Sequence, residues 1–190
     1  MKELIKQLLK EGLNELGTKD KKAFGYGREH NIYSSIKNPN VLFKVGDQET
    51  VDKWIKVFKS NPNLFPKTYR TGKLNSGKVY VEIEKLNTRG AITDWTKMEQ
   101  ALKDINVLDD EDYIDSLDVV FRNIAFGYMS ESDILEKLKS NPQMAALFKK
   151  WVNYMKTANE YIKKFGYDEL DIRRSNFAYD SAGNIKAIDI

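Results

Sequence analysis

The residues best suited to chemistry lie near the end of the sequence. Asp171 is followed five positions later by Asn176, and thirteen positions after that by Asp189. Two carboxylates and an amide make a set of hard oxygen donors. Mg²⁺ takes such donors, keeps several of its waters, and is bound by one or two carboxylates and few other protein oxygens. Phosphoryl transfer asks for little more: cations to neutralise the phosphates and a group to orient the attacking hydroxyl. A fourth residue suits the same chemistry. Lys44 sits in the apolar run Val41-Leu42-Phe43-Lys44-Val45, and a lysine inside a buried strand is costly unless it is paired. It either meets an anion or points outward from an edge strand.

Local elements must bring these residues together. Phe177-Ala178-Tyr179 and Ile185-Lys186-Ala187-Ile188 are short apolar-rich runs separated by the polar turn Ser181-Ala182-Gly183-Asn184, which predicts a β-hairpin. A hairpin sets its ends side by side, so Asn176 and Asp189 should converge, with Asp171 on the loop leading in. Residues 143–165 predict the longest helix, with a core stripe of Phe148, Trp151, Val152, Met155, Ala158, Asn159 and Ile162. Gly166 closes that helix just before the loop.

The N-terminal half reads as strands around one helix. Gly25-Tyr26-Gly27 offers two glycines that let backbone approach a ligand closely, although Gly-x-Gly alone is more often a simple turn. Apolar residues at 51, 54, 55 and 58 make an amphipathic helix, stopped by Asn61-Pro62-Asn63. Residues 65–72 and 78–84 predict two strands around Asn75-Ser76-Gly77, and Val79, Val81 and Ile83 give the second one buried face. Thr93-Asp94-Trp95 is expected to open a helix running to Ile105, and Ser130 another. The acidic residues 109–118 lack the glycine and final glutamate of a calcium loop and read as a solvated face or helix start.

In order and spacing these motifs resemble those of the protein-kinase-like superfamily, and in particular a minimal, truncated kinase-like protein of bacteriophage or bacterial-effector type. The likeness covers residues 24–190. It implies an α+β, two-lobed protein-kinase-like fold in a single domain over residues 1–190, with a small antiparallel-sheet N-lobe to residue 84 and a truncated helical C-lobe from residue 85. It also implies roles. ATP and Mg²⁺ would be the cofactors. Gly25 and Gly27 would cover the phosphates and Lys44 would hold them. Glu49, or else Asp52, would pair with Lys44. Glu84 and Leu86 are hinge positions whose backbone would meet the adenine. Asn176 and Asp189 would hold Mg²⁺, and Asp171 would orient the acceptor hydroxyl. Arg173 stands where a lysine often aids the transferred phosphate, a role open to Arg174 as well.

Three departures accompany the likeness. His30 takes the place of the third glycine. Glu169 stands two residues before Asp171, where the family commonly has histidine or tyrosine, so the loop must be supported differently. The sequence ends at Ile190, so no activation segment or later helices are expected. The implied function is an ATP- and Mg²⁺-dependent phosphotransferase, Ser/Thr protein-kinase-like. The alternative is an inactive pseudokinase that acts as a partner-binding or inhibitory module.

Composition narrows the classes further. The chain has 190 residues, no cysteine and one histidine. That excludes disulfides, thiolate metal sites and cysteine catalysis, and leaves a histidine-based metal site or triad only around His30. A net charge of +3 without a long basic run gives no case for nucleic acid. No apolar run approaches a membrane span. Residues 1–10 read as an amphipathic helix packing on the body, not a signal peptide, and a cytoplasmic location is the default. The expected partner is a protein, as substrate or as binding partner.

Overall fold

The computed structural model describes residues 25–26, 30–108 and 116–189. The expected N-terminal helix, Gly27 and residues 109–115 of the acidic stretch lie outside them. The chain divides after Leu86 into two units, each with its own buried apolar residues.

In the first unit, strands form where β-branched and aromatic residues cluster. β1 (Gly25–Tyr26), β2 (His30–Ser34), β3 (Val41–Gly46), β4 (Thr68–Lys73) and β5 (Val79–Glu84) make one antiparallel sheet in the order β1-β2-β3-β5-β4. β3 therefore has a neighbour on both sides, and Lys44 lies opposite Ile32 on one and Val81 on the other. The edge-strand alternative for Lys44 falls with that register. Alternation sends Phe43 and Val45 to the opposite face, where they pack with Tyr33, Leu74 and Tyr80. Between β3 and β4 runs α1 (Gln48–Ser60), capped by Asp47, whose carboxylate accepts from the Thr50 N–H at 2.8 Å. Its buried stripe is Val51, Trp54, Val57 and Phe58.

β4 starts three residues later than the sequence suggested. Phe65 and Pro66 are buried outside the sheet, with Phe65 stacked on Phe58 at 5.6 Å. Proline has no N–H to give a strand ladder, which favours this exit.

The second unit is mostly helical: α2 (Thr88–Asp104), α3 (Leu117–Ala125), α4 (Glu131–Lys137) and α5 (Pro142–Lys163). A 3-10 turn (Arg174–Asn176) then leads into the hairpin of β6 (Phe177–Tyr179) and β7 (Ile185–Ala187). α2 begins five residues before the expected Thr93. Asn87 accepts from the Gly90 N–H at 2.9 Å and caps it. Gly90 fits closely there, because a Cβ would lie 2.8 Å from Asn87 Nδ2 and 3.2 Å from a Tyr179 ring carbon. α5 matches its expected span, with Asn141 as cap, Pro142 in the first turn, and Gly166 beyond its end at φ +84°.

The core of this unit is an aromatic cluster. Trp95 packs edge-on against Phe121 and Trp151, each at 5.3 Å, and stacks on Phe177 at 5.9 Å. Phe177 belongs to the hairpin, so the core itself fixes where β6 lies.

Candidate functional site

The site in the second unit is built around Asn176. Its backbone carbonyl accepts from the Ile188 N–H at 2.8 Å, and Phe177 pairs with Ala187 in the hairpin. Asp189 is the next residue along, half-buried, so the two ends of the hairpin meet as the sequence predicts. The Asn176 amide donates through Nδ2 to the Asp171 carbonyl at 3.1 Å. That bond ties the loop to the hairpin, while Ser175 Oγ donates weakly to Oδ1 at 3.3 Å. Asp171, Asn176 and Asp189 are thus brought into one neighbourhood.

The loop carrying Asp171 is anchored from below. Leu170 and Ile172 are buried on either side of it. The Leu170 N–H donates to Asn159 Oδ1 of α5 at 2.8 Å. This buried amide supplies the support that Glu169, which is exposed, does not. Asn159 carried a signal in the sequence: it is the polar member of a helix stripe whose other members are apolar, and buried polar groups are hydrogen-bonded. Arg173 forms an ion pair through Nε with Asp171 Oδ1 at 3.0 Å, and is itself largely exposed. Arg174 is exposed as well. Asp118, at the start of α3, has its carboxyl pushed up by burial and by Glu99, while Arg122, Arg174 and Arg173 act against that shift.

The hairpin is locked from its far end. Asp180 Oδ1 accepts from the Ala182 and Asn184 N–H groups at 2.9 and 2.8 Å, and Oδ2 faces Lys186 Nζ at 3.3 Å. Lys186 is buried. Burial alone would raise the Asp180 carboxyl, but the hydrogen bonds from Asn184 and Lys186, with the charge of Lys186, hold it down at about 2. Tyr179 is the second lock: its hydroxyl donates to Asp94 Oδ2 at 2.9 Å and accepts from Trp151 Nε1 at 3.0 Å. Burial, with Asp94 adding to it, pushes the Tyr179 phenol up. A cavity of about 440 Å³ adjoins this lock, lined by Asn87, Arg89, Gly90, Thr93, Asp94 and Tyr179. It contains none of the three oxygen donors.

In the first unit, Lys44 is fully buried, and its ammonium lies 3.8 Å from the centre of the Trp54 ring and 5.7 Å from that of Phe58. The acidic residues expected to meet it do not. Glu49 is exposed and pairs with Lys53 at 2.9 Å. Asp52 is exposed too and accepts from Gln48 Nε2 at 2.9 Å. Helix periodicity explains the outcome: 49 and 52 fall outside the stripe of 51, 54 and 58 that faces the sheet.

Glu84 ends β5. Its carboxylate accepts from the Lys67 N–H at 2.8 Å and its own N–H donates to the Lys67 carbonyl at 3.0 Å. Leu86 is half-buried at the end of the unit. Gly25 lies in β1 opposite Ile32, so a hairpin precedes Lys44; the tip containing Gly27 is outside the described residues.

Asp171, Asn176 and Asp189 offer oxygen donors of the hard kind that Mg²⁺ takes. Among the described residues there is no group of three or more His, Cys, Asp or Glu that could hold a metal ion. Mg²⁺ does not need one where phosphate oxygens and water complete its octahedron. Asp189 carries a carboxylate and Asn176 an amide oxygen, the latter also accepting weakly from Ser175 Oγ.

No model of a known protein family matches the chain, and no curated protein matches it in sequence. No helix among the described residues is long and apolar enough to cross a membrane.

Proposed function

We propose that this chain is an ATP- and Mg²⁺-dependent phosphotransferase of protein-kinase-like type, acting on a hydroxyl of a protein. The observation that carries the reading is the hairpin closure: the Asn176 carbonyl bonded to the Ile188 N–H, with Asp189 next in line and the Asn176 amide bonded to the Asp171 carbonyl. Further support comes from the first unit, where the order of elements (glycine hairpin, lysine strand, helix, two strands) is the one the resemblance calls for.

In this reading Asn176 and Asp189 hold Mg²⁺, which when bound neutralises charge on the phosphates. Lys44 holds phosphate oxygens. Asp171 accepts a hydrogen bond from the attacking hydroxyl and orients it; its ion pair with Arg173 places the carboxylate. The backbone at Glu84 and Leu86 meets the base.

Thermal unfolding with and without millimolar Mg-ATP tests the reading directly. A ligand present at about 100 times its Kd adds about 2.7 kcal/mol, a rise of about 5–10 °C at this size. The expected result is a magnesium-dependent rise that Asp189→Asn abolishes; the absence of any rise would overturn the nucleotide site.

A second reading, a partner-binding pseudokinase, is favoured by one observation: both candidate acids of α1 are occupied elsewhere on its exposed face. Labelled phosphate transfer from ATP separates the two. Transfer that disappears in Asp171→Ala supports the enzyme, and Mg-ATP binding with no transfer to protein acceptors supports the pseudokinase.

A further inference from the structure

The proposed chemistry leaves two arginines of the second unit unused. Arg122 lies in the last turn of α3, and Arg174 opens the 3-10 turn three residues after Asp171. Both are exposed. α3 and the 3-10 turn each pack on α2, which brings the two elements together. Acids form a layer beneath the arginines: Asp118 of α3, one turn before Arg122, and Glu99 of α2 are both half-buried. Burial and then Glu99 push the Asp118 carboxyl up, while Arg122, Arg174 and Arg173 favour its charged form. Three guanidinium groups thus gather near one carboxylate, and one of them, Arg173, pairs with Asp171 at 3.0 Å. The order of the layers matters. The acids are inside and the arginines outside, so a ligand arriving from solvent meets positive charge first.

We propose that Arg122 and Arg174 select the acceptor, docking an anionic protein segment, rich in carboxylate or phosphate groups, beside the hydroxyl that Asp171 orients. The inference deepens the phosphotransferase reading and rests on it. A guanidinium presents a planar fork of donors that matches carboxylate and phosphate oxygens in pairs. Asp118 attracts both forks from behind. Arg173 is engaged with Asp171, so the outward charge that remains for a substrate is that of Arg122 and Arg174.

Three fluorescein-labelled peptides test this on the full chain. They share a central serine and differ in its flanks, which are glutamates, phosphoserines or lysines. Fluorescence anisotropy reads their binding and needs no nucleotide. The two anionic peptides should bind about tenfold tighter than the lysine peptide, the scale of one charge-assisted hydrogen bond. That preference should fade as salt rises. Comparing the glutamate and phosphoserine peptides separates the two sources of negative charge. In the double variant Arg122→Glu with Arg174→Glu the preference should reverse toward the lysine peptide, which a mere loss of structure cannot produce. Both side chains are exposed, so the unfolding temperature should hold. Labelled phosphate transfer from Mg-ATP should follow the same order as binding. Equal binding of the three peptides, or a preference that survives the charge reversal, overturns the selecting role; the phosphotransferase reading then stands on its own Mg-ATP test. An anion preference that reverses as expected, in a chain that neither binds Mg-ATP nor transfers phosphate, overturns that reading and the acceptor role with it.

Discussion

At the scale of single residues, buried polar atoms make the sharpest predictions. Asn159 is buried in the stripe of α5 and accepts the Leu170 N–H. Asn159→Leu fills similar space but leaves that buried N–H without an acceptor, at a cost of about 1–3 kcal/mol. Unfolding temperature should fall by several degrees, and phosphate transfer should fall with it, because Asp171 follows Leu170 directly. Asp180 gives a pH prediction. Its carboxyl is held down at about 2 against the usual 3.8, since hydrogen bonds from Asn184 and Lys186 and the charge of Lys186 outweigh burial. A depressed folded-state value stabilises the fold above the unfolded value and is lost as pH falls through the folded one. Chemical denaturation of the wild type and Asp180→Asn should therefore differ above about pH 4 and converge toward about pH 2. An unchanged difference down to pH 2 would mean that Asp180 gains nothing from Asn184 and Lys186.

At the scale of elements, Tyr179 joins β6 to two helices at once. Its hydroxyl bridges Asp94 of α2 and Trp151 of α5. Tyr179→Phe keeps the ring contacts and leaves the buried Trp151 N–H unpaired, so a loss of about 1–3 kcal/mol is expected. Asp94→Ala removes only the second half of the bridge, and a double-mutant cycle should show coupling between the two sites; additive losses would mean the bridge does not act as a unit. This lock was not legible in the sequence, because Asp94 and Tyr179 are 85 positions apart and neither breaks a pattern locally. The elements themselves were legible wherever periodicity and punctuation agreed. Asn61-Pro62 ended α1, and Gly183, at φ +80°, sits in the turn of the hairpin. The start of α2 was misplaced, expected at Thr93 but set at Thr88 by the Asn87 cap. The pairing of Lys44 was misread as well. Residue type suggested Glu49, whereas helix phase decides which side chains face the sheet, and that phase leaves Glu49 on the exposed face beside Lys53.

At the scale of the whole molecule, the chain comprises two units with separate cores: Phe43, Val45 and Tyr33 anchor the sheet of the first, while Trp95, Trp151 and Phe177 anchor the second. Separate cores permit local opening of one unit with its own free energy. The proposed function demands more than that, since it draws Lys44 from the first unit and Asn176 and Asp189 from the second. If one nucleotide uses all three, its binding energy is shared, and loss of either contribution must lower the protection of both units by the same mass-action linkage. Amide hydrogen exchange tests this. Adding Mg-ATP should slow exchange both in β3 and β5 and in the β6–β7 hairpin. Asp189→Asn should abolish the slowing in the sheet as well as in the hairpin, and Lys44→Met should weaken it in the hairpin as well as in the sheet. Protection confined to the unit that keeps its side chains would mean that the lysine and the oxygen donors serve different ligands, and a single phosphotransfer site would then be excluded.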